Sequence, residues 1–160
     1  MLQYDFEESV GYWVVMTAHA LQKALNEELA PHGITYRQWQ VLAWLALEGP
    51  VSQAELADRM DIEPATLVSV LGRMERDGWI TREDCLTDRR KRLVHPTPRA
   101  KPVWERGAAC ARRVRATATR GFEPEEVERV KTLLGRMLEN LQADHPLEHA
   151  AGGSGRARET

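Results

Sequence analysis

Apolar residues recur every three or four positions along most of this chain, and only one short stretch alternates. Val10, Val14, Leu21, Leu25 and Leu29 keep a helical period and predict a first helix over about 6–30, which Pro31-His32-Gly33 ends. A second helix is predicted over about 36–48, with Trp39, Leu42, Ala43 and Ala46 on one face and Gly49-Pro50 behind it. The third begins at Ser52. Ser52-Gln53-Ala54-Glu55 has the pattern of a capping box, in which serine and glutamate satisfy each other's orphan amide donors, and Leu56, Ala57 and Met60 form the apolar stripe. The fourth runs from Pro64, a residue suited to the first helical position, to Asp77-Gly78, and buries Leu67, Val70, Leu71 and Met74.

The pattern then changes. Trp79–Glu83 and Arg92–His95 read as two short strands of a hairpin, closed by Pro96-Thr97-Pro98, with Thr97 placed to cap the next helix. A long basic helix over about 98–121 follows. The last helix, about 124–142, opens on Pro124-Glu125-Glu126 and presents Val127, Val130, Leu134, Met137 and Leu141 at helical spacing. Asp144–Thr160 carries no hydrophobic period and reads as a flexible tail. Three short helices and a hairpin make a winged helix-turn-helix, so the fold class is mainly α with a small β-hairpin.

Composition narrows the function. The 160 residues carry a formal net charge of -2, which argues against bulk nucleic-acid binding but permits a local basic patch. No apolar run approaches the roughly 20 residues of a membrane span. The N-terminus is acidic and lacks the basic start of a signal peptide, and two cysteines, Cys85 and Cys110, fit a reducing cytoplasm. With no glycine-rich phosphate loop, metal cluster or nucleophile–base constellation, neither an enzyme nor a cofactor is expected. His145 and His149 have helical spacing but fall in the tail.

The positive charge is concentrated in Cys85-Leu-Thr-Asp-Arg-Arg-Lys-Arg-Leu-Val94, four consecutive cations behind one aspartate. On a hairpin tip, adjacent arginines suit the narrow, electronegative minor groove. Asp88 can brace Arg90 by a charge-assisted pair, while Arg89, Lys91 and Arg92 attract phosphate. If the fourth helix buries its apolar stripe, Ala65, Thr66, Val68, Ser69 and Arg73 point outward. Thr66 and Ser69 can meet bases or phosphates, Val68 can pack on a thymine methyl, and Arg73 can reach a guanine edge. Ser52 and Gln53, at the start of the third helix, complete the candidate DNA-binding set. The arginines of the fifth helix, Arg113 among them, can touch DNA flanks or pair across a subunit interface with the acidic last helix.

Ser52-Gln-Ala-Glu-Leu-Ala57, Leu71–Ile80 ("LGRMERDGWI") and Asp88-Arg-Arg90 before "LVHPT" together resemble the MarR family of bacterial transcription regulators. The wing Asp-Arg-Arg is the most specific of the three. Pro96-Thr97-Pro98 departs from the family's usual Leu-Thr followed by glycine. The resemblance implies one domain over 1–143, with a winged helix-turn-helix over about 36–97 and dimerisation helices over about 6–30 and 98–142. It implies a homodimer bound to double-stranded DNA at a pseudo-palindromic operator, acting as a repressor released by a small aromatic or phenolic ligand. Tyr12, Trp13, Met16, His19 and Trp39 are the candidate ligand-binding residues, although aromatic residues at helical spacing more often serve a core or an interface. Two alternatives stay open, a thiol-responsive regulator acting through Cys85 and a winged-helix module for protein contact.

Overall fold

The computed structural model describes residues 5–84 and 91–144. The chain divides into two compact units, Met1–Ala118 and Thr119–Thr160. The first holds α1 (Val10–Leu29), α2 (Tyr36–Glu48), β1 (Val51–Ser52), α3 (Gln53–Arg59), α4 (Pro64–Arg76), β2 (Ile80–Asp84), β3 (Arg92–Pro96) and α5 (Ala100–Ala118). The second contains α6 (Pro124–Asp144).

The local starts and stops have chemical causes. A capping box opens α3 as the Ser52/Glu55 spacing predicts, and a second, Thr35 with Gln38, opens α2. Pro64 stands at the start of α4. That helix ends in a Schellman motif: Gly78 adopts φ 75°, its N–H reaches the Glu75 carbonyl, and the Trp79 N–H reaches Met74. Between α3 and α4 the left-handed residue is Asp61, at φ 47°, and the Ile62 N–H closes the same motif on the Ala57 carbonyl.

Several boundaries differ from the predicted ones. The first helix is not continuous from residue 6, because Ser9 caps α1 by accepting from the Tyr12 N–H and a separate 3₁₀ turn, Phe6–Glu8, precedes it. Thr97 donates to the Gly78 carbonyl at 2.6 Å and accepts from the Arg99 N–H, so α5 begins two residues later than expected. The sheet has three strands in the order β1-β3-β2, all antiparallel, rather than the two of a hairpin. Val51 pairs with Val94 and Ser52 with Leu93. Two residues are too few to show an alternating pattern.

The core of the first unit lies among α1 to α5 and the sheet. Leu29, Val41, Leu56, Leu67, Leu71, Met74, Ile80 and Val94 are fully buried, each of the large aliphatics contributing roughly 1.5–3 kcal/mol. On α4 the buried residues are the four predicted ones. On α2 they are Gln38, Val41, Leu42 and Leu45, whereas Ala46 is exposed and Trp39 half-buried. Gln38 belongs inside because both ends of its capping interaction with Thr35 are satisfied there. On α1 only Leu29 is buried; Val10, Val14 and Leu21 are exposed, so most of the predicted stripe faces away from this unit's own core.

Candidate functional site

α3 is held against α2 by polar ties at its far end. Arg59 forms a two-pronged ion pair with Glu48, at 2.6 and 3.0 Å, and its guanidinium lies 5.8 Å from the Trp44 ring centre. Arg37 donates to the Met60 carbonyl at 3.3 Å. The turn Asp61-Ile62-Glu63 then launches α4 with one face on the core.

The opposite face is the one the spacing predicts. Ala65, Thr66, Val68, Ser69 and Arg73 are all exposed, and Val68 keeps half of its surface in solvent. Ser69 donates its hydroxyl proton to the Ala65 carbonyl at 3.3 Å, which leaves its lone pairs facing outward. Ser52 is different. It is buried, and its hydroxyl accepts from the Glu55 N–H, so that turn reaches the surface through Gln53 instead. The Ser52 side chain, then its backbone N–H, holds the Glu55 carboxyl below the usual glutamate range. Lys91 is exposed. Cys85, Asp88, Arg89 and Arg90 lie outside the described residues.

Among the described residues, two ion pairs tie the strands of the wing. Arg92 donates to Asp84 directly across the strand pair at 3.3 Å. Arg82 is turned away from the solvent: its Nε donates to Glu75 Oε2 at 3.0 Å, its Nη2 joins the same oxygen, and its Nη1 reaches Gln53 Oε1 at 3.4 Å. Arg82 lowers the Glu75 carboxyl below its ordinary range, and Glu75 raises Arg82 in return. No feature of the sequence links these residues except opposite charge seven positions apart, across a change of element.

A cavity of about 830 Å³ opens between α1 and α5, lined by Trp13, Met16, Leu21, Glu28, Arg113 and Val114 among others. Trp13 and Met16 reach it together because they lie three apart on one helix face. The other aromatic candidates do not join them. Tyr12 packs edge-on between Phe6 and Trp13. His19 lines a separate depression of about 430 Å³ with Lys23, Asn26 and Tyr36. Trp39 stacks on Trp104, the ring centres 4.8 Å apart and the planes 10° from parallel. Glu28 carries no signal in the sequence, and Arg113, expected at DNA flanks or across a subunit interface, instead pairs with it at 2.7 Å at the cavity wall within one chain. Arg113 also donates to Cys110 Sγ, and that thiol donates to the Glu28 carbonyl. Cys110 is fully buried, as expected of a packing residue.

The MarR family model matches residues 32–91, which run through α2, α3, α4 and β2. The HTH-type transcriptional regulator YwoH of Bacillus subtilis (strain 168) is 34% identical over 89 residues, an alignment covering 56% of this chain and 64% of that protein. Wild-type MarR of E. coli in its apo form superposes with a TM-score of 0.73 at 24% identity, over 81% of this chain and 96% of that one. BpsR of Bordetella bronchiseptica, whose DNA binding is regulated by 6-hydroxynicotinic acid, superposes at 0.71 and 24%, over 85% and 97%. Residues 32–91 are thus similar in sequence to the MarR family, and the fold is shared with those two solved structures.

Proposed function

We propose that this chain is a homodimeric, sequence-specific transcriptional repressor that leaves a pseudo-palindromic DNA operator when a small aromatic or phenolic compound binds. The observation that carries the reading is α4. A helix of groove-reading length is anchored by four fully or nearly fully buried apolar residues and offers solvent Thr66, Val68, Ser69 and Arg73, with an ion-paired wing beside it. Val68 has no partner in the core, and a thymine methyl would supply one. The wing tip, Asp88 to Arg90, is assigned to the minor groove on its charge pattern. The effector is assigned to the α1–α5 cavity, where Trp13 and Met16 give a flat apolar wall and Arg113 a cation. Regulation of BpsR by an aromatic acid supports that ligand class.

The test begins with fragments that the protein selects from random DNA. Affinity for the selected fragment should fall steeply with salt, because phosphate contacts release counterions. Arg73→Ala should weaken binding by about 1–3 kcal/mol, roughly five- to 150-fold, and relax preference at one base pair while circular dichroism stays unchanged. A variant that binds the fragment as tightly as the wild type would remove Arg73 from the interface. Aromatic acids should then release the DNA from the wild type and fail to do so from Trp13→Ala.

A further inference from the structure

Of the described charges around the hairpin, Arg82 is unusual in being only 16% exposed along its side chain. Its guanidinium joins three elements at once: β2, on which it stands, the last turn of α4 through Glu75, and the first residue of α3 through Gln53. Only the planar, multi-donor fork of arginine can meet both partners; a lysine ammonium is a point charge and must choose. The arrangement also contains a carboxylate two residues from Arg73 on the proposed reading helix. Beside a polyanion, an acidic group is repulsive unless it serves another purpose.

Gln53 supplies the second half of the argument. Its amide carbonyl accepts from Arg82, so the –NH₂ of the same group is the end turned toward other partners. As a hydrogen-bond donor, it suits a backbone phosphate oxygen.

We propose that Arg82 is a positioning residue for DNA reading, one that locks the wing strand onto the recognition helix and turns the Gln53 amide nitrogen toward a phosphate. The proposal rests on the DNA-binding reading above, and it makes Glu75 an acidic residue that strengthens binding to DNA.

The sign of that effect is the test. On charge alone, Glu75→Ala removes a repulsive carboxylate and should tighten binding to the selected fragment. The clamp predicts the opposite, roughly three- to tenfold weaker binding. Arg82→Lys, which keeps the charge, should lose affinity as well, and it stands in should Glu75→Ala fail to fold. A double-mutant cycle separates positioning from general destabilisation. Lys91→Ala on the wing should cost less in the Arg82→Lys background than in the wild type, because an unclamped wing already contributes less. Unchanged or tighter binding by Glu75→Ala, or strict additivity of Lys91→Ala and Arg82→Lys, overturns the proposal while wild-type binding leaves the DNA reading intact. A wild type that selects no DNA overturns that reading, and the clamp's role falls with it.

Discussion

At Gly107 the backbone of α5 comes closer to Trp39 than any side chain would allow. A Cβ built there would lie 2.5 Å from Trp39 Cε3 and 2.8 Å from Cζ3, on the rigid ring of a residue already stacked on Trp104. Gly107 is buried, and Trp39 can move away only by disturbing its stack on Trp104. Glycine is unfavourable in mid-helix by about 1 kcal/mol relative to alanine, and on propensity alone Gly107→Ala should stabilise α5. Overpacking of this kind typically costs about 1–3 kcal/mol, and here it acts directly on the stacked pair. The expected outcome is a lower melting temperature together with a changed near-ultraviolet circular dichroism signal from the Trp39–Trp104 stack. A higher melting temperature with an unchanged aromatic signal would mean that the contact is looser than its geometry indicates. Trp39 thus has a packing task beside α5, and its aromatic character is explained without a ligand.

Among the elements, α3 and the α4–β2 junction each depend on a glutamate held ionised. Glu55 closes the capping box of α3, and Glu75 anchors Arg82. Both carboxyls are shifted below the ordinary glutamate value of about 4.5, Glu55 chiefly by the Ser52 side chain and Glu75 chiefly by Arg82. A depressed folded-state value means that the unfolded chain takes up the proton first. The stability these groups contribute is therefore present above about pH 4.5 and is lost as pH falls through their lower folded-state values. Melting temperature should be flat in this respect near neutrality and decline below about pH 4.5, and the decline should be shallower in Glu55→Gln and Glu75→Gln. Equal acid slopes in wild type and both variants would show that other carboxylates carry the acid sensitivity.

What the sequence makes legible at this scale follows from how local each signal is. The bounds of α4 were readable because Pro64 and Asp77-Gly78 mark its two ends, and its buried stripe because Leu67, Val70, Leu71 and Met74 share one face. The buried face of α2 differs from the expected one, since tryptophan looks like core while Gln38 looks like surface apart from its capping contact. The Thr35/Gln38 box has the same three-residue spacing in the sequence as Ser52 and Glu55. The Arg82 clamp was not readable, because seven residues and a helix-to-strand change separate its ends and the neighbouring wing charges offer Arg82 a simpler assignment. The same limit applies to the Glu28–Arg113 pair, 85 residues apart in sequence.

At the scale of the whole molecule, what matters is that α1 in the first unit and α6 in the second each carry exposed apolar residues among the described ones. Trp13, Val15 and Met16 on α1, and Val130, Leu133, Leu134, Leu138 and Leu141 on α6, are each between 44% and 59% exposed. Amphipathic helices whose apolar faces stay exposed mark an interface. The second copy proposed above gives them cover, and twofold symmetry sets the energetics of disrupting it. Every substitution at a symmetric interface occurs twice. Burying a leucine is worth about 2 kcal/mol, so Leu138→Asp should cost the dimer at least about 4 kcal/mol, roughly a thousandfold in its dissociation constant. Sedimentation at micromolar concentration should show the wild type as a dimer and the variant as a monomer. DNA binding should follow, because two half-sites one helical turn apart, about 34 Å, are engaged together only while the two recognition helices are joined. A Leu138→Asp protein that sediments as a monomer yet binds the full operator with wild-type affinity would separate dimerisation from DNA reading. A variant that remains a dimer would place the interface on other residues.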